Sequence, residues 1–421
     1  MIRFTLKYYN PGVRDKTFAF PEGVDGLSWE LAGGSSVGKN GIDSLSADLL
    51  TIALTIYHTE KFVSPSNGSP IHKIVVRIPV YNKRACELSC EWLIKMLAFM
   101  NSIPFEFIFS EKKKKRRITF MTDPSPVEQV VLFSGGMDST CGIATYPNQF
   151  SRYTKFVSYY TRQQKIQRDI LQSLGYNTAD MIQLKSKLVY TQQRRLNHHF
   201  SYRAFMFLAM GSVFARSFGA KTIYQFENGV LANAVPPYAS ISMTKHAHPI
   251  THKYYIAFIE SLFGEKGYTI INPFLYKTKR EMAELAGKEF KADFGEILTR
   301  TETCWYIYSN FSLTGKAKEP NRACGICIPC LIRRTADENY DFQFDISSKK
   351  ILANDSVAFI FRSYEAFVKK MLTCKDEMHF YMDFLDGTAR ESLQLTDQLD
   401  LKELYLLYKR FSKEFEKEFL Q

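Results

Sequence analysis

The sequence predicts an α/β fold in which a mostly parallel sheet is covered by helices on both faces. Between residues 125 and 336, short apolar strands alternate with amphipathic helices, which is the pattern of a parallel sheet with crossover helices. Residues 1–124 mix strand and helix patterns without this alternation, and residues 337–421 are mainly helical. We therefore expect an α+β N-terminal domain, a central sheet domain and a helical C-terminal region with these boundaries.

The N-terminal region contains both strand-like and helix-like hydrophobic patterns. Three segments are strand-like, at residues 2–6, 74–78 and 105–109. Two segments have helical periodicity, at residues 45–57 and 86–100. No catalytic motif is present, so the role of residues 1–124 stays open.

A basic run and a turn-rich segment close the N-terminal region. Lys112 to Arg117 are all basic, and TDPSP follows at 122–126, which is typical of a domain boundary. Such a run is either a solvated turn or a contact with a phosphate backbone. The net charge of +12 favours a polyanionic partner, either nucleic acid or a phosphate-bearing ligand, although basic surfaces also occur on proteins that bind neither.

The central and C-terminal regions supply the remaining elements. Strand patterns occur at residues 130–133, 155–160, 181–184, 222–226 and 268–274. Helix patterns occur at residues 166–175, 197–218, 253–263, 357–372, 377–385 and 401–420. In a sheet of this kind, ligands bind outside the carboxyl ends of the strands.

The segment VVLFSGGMDSTCG at residues 130–142 is the most informative one. An apolar strand ends in SGG at 134–136, and DST at 138–140 follows where a helix can begin. Small residues there let backbone N–H groups surround a phosphate, and a helix N-terminus adds roughly half a positive charge. The spacing is neither that of the Walker loop nor that of the dinucleotide turn. The alternative is a glycine-rich turn without a ligand.

Four of the eight cysteines are arranged as metal ligands. Cys324, Cys327 and Cys330 form two overlapping C-x2-C steps, and Cys304 precedes them. This spacing predicts a structural tetrahedral zinc site, with Gly325 easing the turn. An iron–sulfur cluster and free core thiols are the alternatives, but the Cys-Pro continuation of a ferredoxin motif is missing.

These motifs together resemble the QueC family of 7-cyano-7-deazaguanine synthases, which are PP-loop ATP pyrophosphatases with the signature SGGxDS. The resemblance covers about residues 127–334. Further matches are the segments Thr278–Met282 after Asn272-Pro273, Glu302–Trp305 at the first cysteine, and Arg333-Arg334 after the last one.

The resemblance implies a PP-loop (adenine nucleotide alpha hydrolase-like) fold, ATP and Mg²⁺ as cofactors, and zinc on the four cysteines. It also implies adenylation of the carboxylate of 7-carboxy-7-deazaguanine in queuosine biosynthesis, displacement of AMP by ammonia, and dehydration of the amide to a nitrile. By resemblance, the triphosphate and its magnesium would be held by Ser134, Gly135, Gly136, Asp138, Ser139 and Thr140. The predicted nucleotide site also includes Leu132, Phe133, Met137, Glu227 and Asn228.

Adenylation concentrates negative charge on phosphate oxygens, so it needs positioned cations more than a protein nucleophile. Arg203 on the long helix and Lys279 before the cysteine loop are the candidate cations, and local surface pairing is the alternative for each. With them, Ser134, Asp138 and Ser139 complete the predicted catalytic set. The turn at 226–229 is expected to face the ligand, where its glutamate can bind a purine-like amine edge; an exposed turn is the alternative.

Two segments depart from the family pattern, at Tyr160–Gln163 and Tyr202–Ala204. In these departures the chain resembles the QueC-like proteins of bacterial antiphage operons such as the Qat system. That resemblance implies an operon partner protein as the acceptor of the activated group. The other hypotheses are a tRNA-modifying PP-loop enzyme such as a thiolase, and a nucleotide-binding scaffold without catalysis.

The sequence also bears on location and partners. No apolar stretch approaches the ~20 residues of a membrane span, and the first residues lack the apolar core of a signal peptide. We therefore expect a cytoplasmic protein without membrane contact, whose principal partner is a small deazapurine. A homo-oligomer is compatible with the sequence.

Overall fold

A computed structural model of the chain describes most of its residues. The described ranges are 5–10, 13–19, 26–62, 74–101, 104–112, 120–161, 163–189, 202–238, 241, 243–290, 293–305, 312–313, 316–319, 322–337 and 340–421. Among the sequence predictions, residues 2–4 of the first strand, residues 113–117 of the basic run, Arg162 and the helical start at 197–201 lie outside them.

The N-terminal region forms a sheet with two long helices packed against its strands. Its elements are β1 (Thr5–Asn10), β2 (Val13–Ala19), β3 (Gly26–Leu31), β4 (Val37–Gly38), α1 (Ser44–Phe62), β5 (Ile74–Val80), α2 (Lys83–Asn101), β6 (Phe105–Glu111) and β7 (Thr122–Asp123). The sheet order is β2-β1-β5-β6, antiparallel except for the parallel pair β5–β6. Both predicted helices and the strands predicted at 74–78 and 105–109 are therefore present.

The central region alternates strands and helices. Its strands are β8 (Gln129–Leu132), β9 (Thr154–Tyr159), β10 (Met181–Val189), β11 (Thr222–Tyr224) and β12 (Thr269–Ile271). Its helices are α3 (Met137–Thr145), α4 (Pro147–Phe150), α5 (Gln164–Ser173), α6 (Arg203–Phe218), α7 (Gly229–Asn233), α8 (Pro249–Phe263), α9 (Lys279–Phe290) and α10 (Phe294–Thr299). A short 3₁₀ helix (Thr178–Asp180) precedes β10.

Six strands of the described chain form the central sheet in the order β12-β11-β8-β9-β10-β3. The five strands of the central region are mutually parallel, and β3 pairs antiparallel with β10 at one edge. Because side chains alternate along a strand, Val130 and Leu132 face a core shared with α1, α6 and α8. Val131 and Phe133 face a second core with α3, α5, α9 and α10. The predicted α/β class, with helices on both faces, is confirmed.

Strand β3 connects the N-terminal region to the central sheet. Leu31 pairs with Leu184 of β10, and α1 packs against α6 within one continuous core. The short parallel pair β4–β7 lies at the end of the region, where Lys155 of β9 binds Asp123 at 2.8 Å. The division of the chain at residue 124 stays a prediction.

The last part of the chain packs helices around the cysteine loop. Its elements are the hairpin β13 (Ser312–Leu313) and β14 (Lys316–Ala317), then α11 (Ile328–Arg334), α12 (Lys349–Leu352), α13 (Asp355–Thr373), α14 (Glu377–Phe384), α15 (Gly387–Leu395) and α16 (Leu401–Phe419). A third core unites α13, α14 and α16 with α7 and the cysteine segment. None of the helices in the described ranges combines the length and the apolar character that crossing a bilayer requires.

Candidate active site

The SGG turn lies at the carboxyl end of β8, the third strand of the sheet order, and leads into α3. Gly135 has φ +73°, in the left-handed region that favours glycine. A Cβ atom there would lie 2.9 Å from Cγ of Gln167, and one at Gly136 would lie 3.0 Å from the carbonyl oxygen of Glu302. Gly135 therefore favours glycine through both its backbone conformation and this close approach, whereas a side chain at Gly136 would require the Glu302 carbonyl to move by a few tenths of an ångström.

The two serines of the signature stabilise the turn. Ser134 Oγ accepts a hydrogen bond from the Gly136 N–H at 3.2 Å and lies 3.2 Å from Ser139 Oγ, which donates to the Gly136 carbonyl at 3.0 Å. Ser139 is buried, whereas Ser134 is partly exposed. Because the first N–H groups of a helix have no acceptor within it, the start of α3 beside Ser134 is suited to bind an anion.

A buried glutamine pair supports the turn from behind, and the sequence motifs do not include it. Gln167 Nε2 donates to the Ser134 carbonyl at 3.0 Å, and Gln183 Nε2 donates to Gln167 Oε1 at 3.1 Å. Arg168 extends this series of hydrogen bonds by donating to Gln183 Oε1 at 3.0 Å. In the sequence, the one signal for Gln183 is that it is a polar residue within the apolar strand MIQL.

Four predicted residues from three separate segments meet beside the turn. Lys279 Nζ lies 2.7 and 2.9 Å from the two carboxylate oxygens of Asp138. Asn228 Nδ2 lies 3.3 Å from Asp138 Oδ2 and 3.0 Å from Glu227 Oε1. Lys279 and Asn228 are fully buried, so this charge cluster (Asp138, Glu227, Asn228 and Lys279) belongs to the interior wall of the site.

The two carboxyl groups of the charge cluster have opposite pKa shifts. Burial alone would raise the pKa of Asp138, but the Lys279 ammonium and hydrogen bonds from Glu227, Lys279 and Asn228 outweigh it and lower that pKa. Burial and then the negative charge of Asp138 raise the pKa of Glu227 well above its usual value. The raised pKa favours a neutral Glu227 beside the Asp138 carboxylate. Asn228 in the same turn is fully buried, so the predicted exposed-turn alternative does not describe this turn.

The remaining predicted nucleotide-site residues lie at or behind the surface of the turn. Leu132, Phe133 and Met137 are buried in the sheet cores, so only their backbone is available to a ligand at the turn. Thr140 is fully buried, and its hydroxyl has no hydrogen-bond partner within the described ranges.

Arg203 occupies the first position of α6 and is exposed. Its guanidinium lies 5.4 Å from the ring of Phe207. It forms no hydrogen bond or ion pair with the charge cluster, all of whose members are described. Of the two candidate cations, the structure therefore places Lys279 at the turn and leaves Arg203 on the surface.

The four predicted metal-ligand cysteines converge. The Sγ atoms of Cys304, Cys324, Cys327 and Cys330 all lie within 4.8 Å of one another, and Cys324 Sγ is 3.9 Å from Cys330 Sγ. A zinc ion bound at about 2.3 Å by four thiolates needs sulfur separations of about 3.8 Å. The backbone N–H groups of Cys324 and Ile326 also point at sulfur atoms, at 3.3 and 3.4 Å.

The electrostatics of the cysteine cluster also fit a divalent cation. Hydrogen bonds from the other three thiols lower the pKa of Cys304, whereas burial raises the pKa of Cys327 and of Cys330. Four such groups in one pocket become thiolates together when a cation of charge +2 compensates them. The residues present therefore fit structural zinc.

Arg333 connects the cysteine loop to the segment before it. The side chain is fully buried, and it donates to the carbonyl oxygens of Thr301 and Leu298 at 2.7 Å each and binds Asp337 at 3.0 Å. Its guanidinium also lies 3.6 Å from the ring centre of Tyr340. This predicted residue of the cysteine motif is thus structural.

Residues 128–341, about half of the chain, match the family model described as queuosine biosynthesis protein QueC. The chain belongs to the QueC family. No curated protein and no solved structure matches the chain significantly. Membership of the QueC family indicates ATP-dependent, ligase-like chemistry of the deazaguanine-synthase type.

In this QueC domain the cysteine segment forms one wall of the SGG turn. Glu302 lies two residues before Cys304, the first clustered cysteine, and its carbonyl group packs against Gly136. Since a structural metal fixes the loop that it binds, zinc on the cysteines would hold this wall in place beside the turn.

Proposed function

We propose that this QueC-family protein uses ATP to adenylate the carboxylate of a 7-carboxy-7-deazaguanine-like acid. A carboxylate oxygen attacks the α-phosphorus of ATP, the bond to the bridging oxygen of the β-phosphate breaks, and pyrophosphate leaves. Ammonia or another amine then attacks the acyl carbon, AMP leaves with the bonding electron pair, and the nitrogen loses a proton. The observation that carries the proposal is the Lys279–Asp138 pair beside the SGG turn.

The geometry supports this step in two ways. The N–H groups at the start of α3 and the Ser134 hydroxyl can bind phosphate oxygens, because they surround the carboxyl end of β8. The Lys279 ammonium can stabilise the charge that develops on the leaving pyrophosphate. Asp138 holds that ammonium in position before substrate arrives, which reduces the reorganisation that the transition state requires.

The cofactors have separate roles in this proposal. Mg²⁺ arrives with ATP and neutralises phosphate charge, with Asp138, Ser139 and Thr140 implied as its neighbours by family resemblance. Zinc on Cys304, Cys324, Cys327 and Cys330 supplies no chemistry and holds the loop. An oxygen of the Glu227 carboxyl group can accept a hydrogen bond from the amine edge of a purine-like ring.

The test is to incubate the zinc-loaded protein with ATP, Mg²⁺ and 7-carboxy-7-deazaguanine and to quantify AMP and pyrophosphate. We expect both products in equal amounts and only when the acid is present. Lys279→Met and Ser134→Ala should lower the rate by roughly 10²-fold or more, whereas the exposed control Ser151→Ala should match the wild type. Folded, metal-replete protein that releases no AMP with this acid, with or without an added amine, would refute the proposal.

We further propose that the acceptor is a partner protein and that the reaction serves antiphage defence. The support is the resemblance of Tyr160–Gln163 and Tyr202–Ala204 to QueC-like proteins of antiphage operons. Mass spectrometry of co-expressed neighbouring proteins should detect a deazapurine adduct, and plaque formation on cells carrying the operon should rise with Lys279→Met. Equal numbers of plaques on cells with the wild-type protein and on cells with Lys279→Met would refute the defence role without affecting the adenylation proposal.

A further inference from the structure

The C-terminal helix α16 packs directly against α7 and the residues after it, which follow Glu227 and Asn228 of the charge cluster. Tyr408 is fully buried, and its hydroxyl donates to the Val230 carbonyl at 3.2 Å and accepts from the Val235 N–H at 3.2 Å. Leu407 covers Gly229, where a Cβ atom would lie 2.8 Å from its Cδ2 atom. Helix α16 lies beyond residues 128–341, so a part of the chain outside the family match packs against a segment that carries the charge cluster.

A second group of contacts connects α16 to the first turn of α9. The hydroxyl of buried Thr278 donates to Glu414 Oε1 at 2.7 Å and accepts from the Glu281 N–H at 3.1 Å. Glu281 Oε2 in turn accepts from the Thr278 N–H at 2.9 Å, which completes a capping box. Arg410 binds Glu281 at 2.8 Å and donates to the Tyr276 carbonyl at 2.7 Å. Of the two members of the cap, Thr278 is thus bound by Glu414 of α16 and Glu281 by Arg410 of the same helix.

Lys279 is the residue next to this cap, and its position follows from the cap. We propose that Glu414 and Arg410 are positioning residues, which fix the first turn of α9 so that Lys279 faces the phosphate-binding turn. They touch neither ATP nor the acid, and they act through Thr278 and Glu281. The inference rests on the proposed adenylation, in which Lys279 stabilises the leaving pyrophosphate.

Packing alone would not require a carboxyl group at position 414. The second oxygen of Glu414, Oε2, is buried and has no hydrogen-bond partner within the described ranges. Burial raises the pKa of this carboxyl to about 7; Thr278 and Arg280 lower it, and Glu281 and Glu284 raise it. A buried polar atom without a partner costs stability, and such local costs are found mainly at functional sites.

The contacts define a graded set of variants of the full-length, zinc-loaded protein. Glu414→Ala removes the acceptor of the Thr278 hydroxyl, whereas Glu414→Gln keeps a carbonyl oxygen there. Thr278→Val removes the same hydrogen bond from the other side, together with the acceptor of the Glu281 N–H, and serves if Glu414→Ala fails to fold. Glu403→Ala is the matched control, because Glu403 is exposed in the first turn of the same helix.

The first readout is acid-dependent pyrophosphate release, resolved into kcat and the KM for the acid. Small displacements of a positioned group can reduce rates by up to about 10²-fold, so we expect Glu414→Ala and Thr278→Val to lower kcat at least about tenfold. The KM for the acid should change little, and Glu414→Gln should restore most of kcat. An unchanged kcat in folded Glu414→Ala, or a loss that Gln does not restore, would overturn the inference.

The second readout does not depend on activity. Lysine acetylation followed by mass spectrometry reports the exposure of Lys279, which is 1% exposed, with Lys266, whose side chain is 84% exposed, as an internal reference. We expect acetylation of Lys279 to rise several-fold in Glu414→Ala and not in Glu403→Ala. If wild-type protein shows no acid-dependent turnover, the proposed function fails, and the acetylation ratio alone decides the inference. An unchanged ratio then overturns it as well.

Discussion

The Lys279–Asp138 pair makes a prediction about stability that can be worked out from the structure. In Lys279→Met the side-chain volume is nearly kept, but the Asp138 carboxylate loses an ammonium at 2.7 and 2.9 Å. The Lys279 side chain is 0% exposed and that of Asp138 is 14% exposed. Removing one member of a buried pair costs about 3–5 kcal/mol, and the remaining exposure of Asp138 favours the lower end, about 3 kcal/mol.

The sign of the pH dependence follows from the lowered pKa of Asp138. The pair stabilises the folded protein above the unfolded-state pKa of about 3.9, and this contribution is lost as pH falls through the lower folded-state pKa. In Lys279→Met the ammonium is gone, so burial raises the pKa of Asp138 and only the hydrogen bonds from Glu227 and Asn228 still lower it. The variant is therefore most destabilised near neutral pH, and its difference from the wild type shrinks as the solution is acidified towards pH 4.

The coupling energy of the pair is measured by urea unfolding at pH 7.5 and pH 5. The variants are Lys279→Met, Asp138→Asn and the double variant Lys279→Met/Asp138→Asn. We expect a coupling energy of about 2–3 kcal/mol at pH 7.5. The exposed pair Lys95–Glu91, with side chains 45% and 71% exposed, is the matched control and should give about 0.3–0.5 kcal/mol. A coupling below about 1 kcal/mol for the buried pair would refute the reasoning.

Three further predictions concern the turn, the metal and a buried histidine. Gly135→Ala should lower the free energy of unfolding in urea more than Gly175→Ala does. Both glycines have positive φ, which costs an alanine about 1–2 kcal/mol, but only a Cβ atom at position 135 meets a neighbour within 4 Å. Equal losses would contradict the described contact. Elemental analysis should find about one zinc per chain, lost with a lower melting temperature in Cys330→Ser, whereas iron with a visible chromophore would contradict zinc. Burial lowers the pKa of His252 to about 4, so wild-type stability should fall from about pH 6.5 towards 4, and His252→Gln should flatten this slope; an unchanged slope would count against a buried neutral imidazole.

Much of the fold could be predicted because local patterns determine it. The period-2 strands and the helical segments follow from burial on one or both faces, and the SGG turn follows from a backbone that only glycine adopts easily. Helix α8 begins at Pro249, earlier than the predicted residue 253, because His248 caps it by accepting from the Ile250 N–H at 3.2 Å. A histidine cap is not a usual start signal.

The candidate site was predictable as a set of residues but not as a set of contacts. Lys279 and Asp138 are 141 residues apart in sequence, and no local pattern indicates that they pair. Gln167 and Glu414 belong to no motif, since their roles arise from packing between distant elements. Arg203 illustrates the converse case, because its place on the predicted long helix suggested a cation for the site and the structure leaves it exposed.

The antiparallel edge strand β3 has a consequence for how the protein is made. Ser35, just after β3, accepts a hydrogen bond from the Gln183 N–H across a separation of 148 residues. A ribosome therefore releases this segment long before its pairing partner β10 has been synthesised. Contacts of such long range slow folding, and an unpaired strand edge can template association with another chain. Newly made chains should depend on chaperone protection of this strand until β10 emerges, more than the amount of buried core alone would suggest.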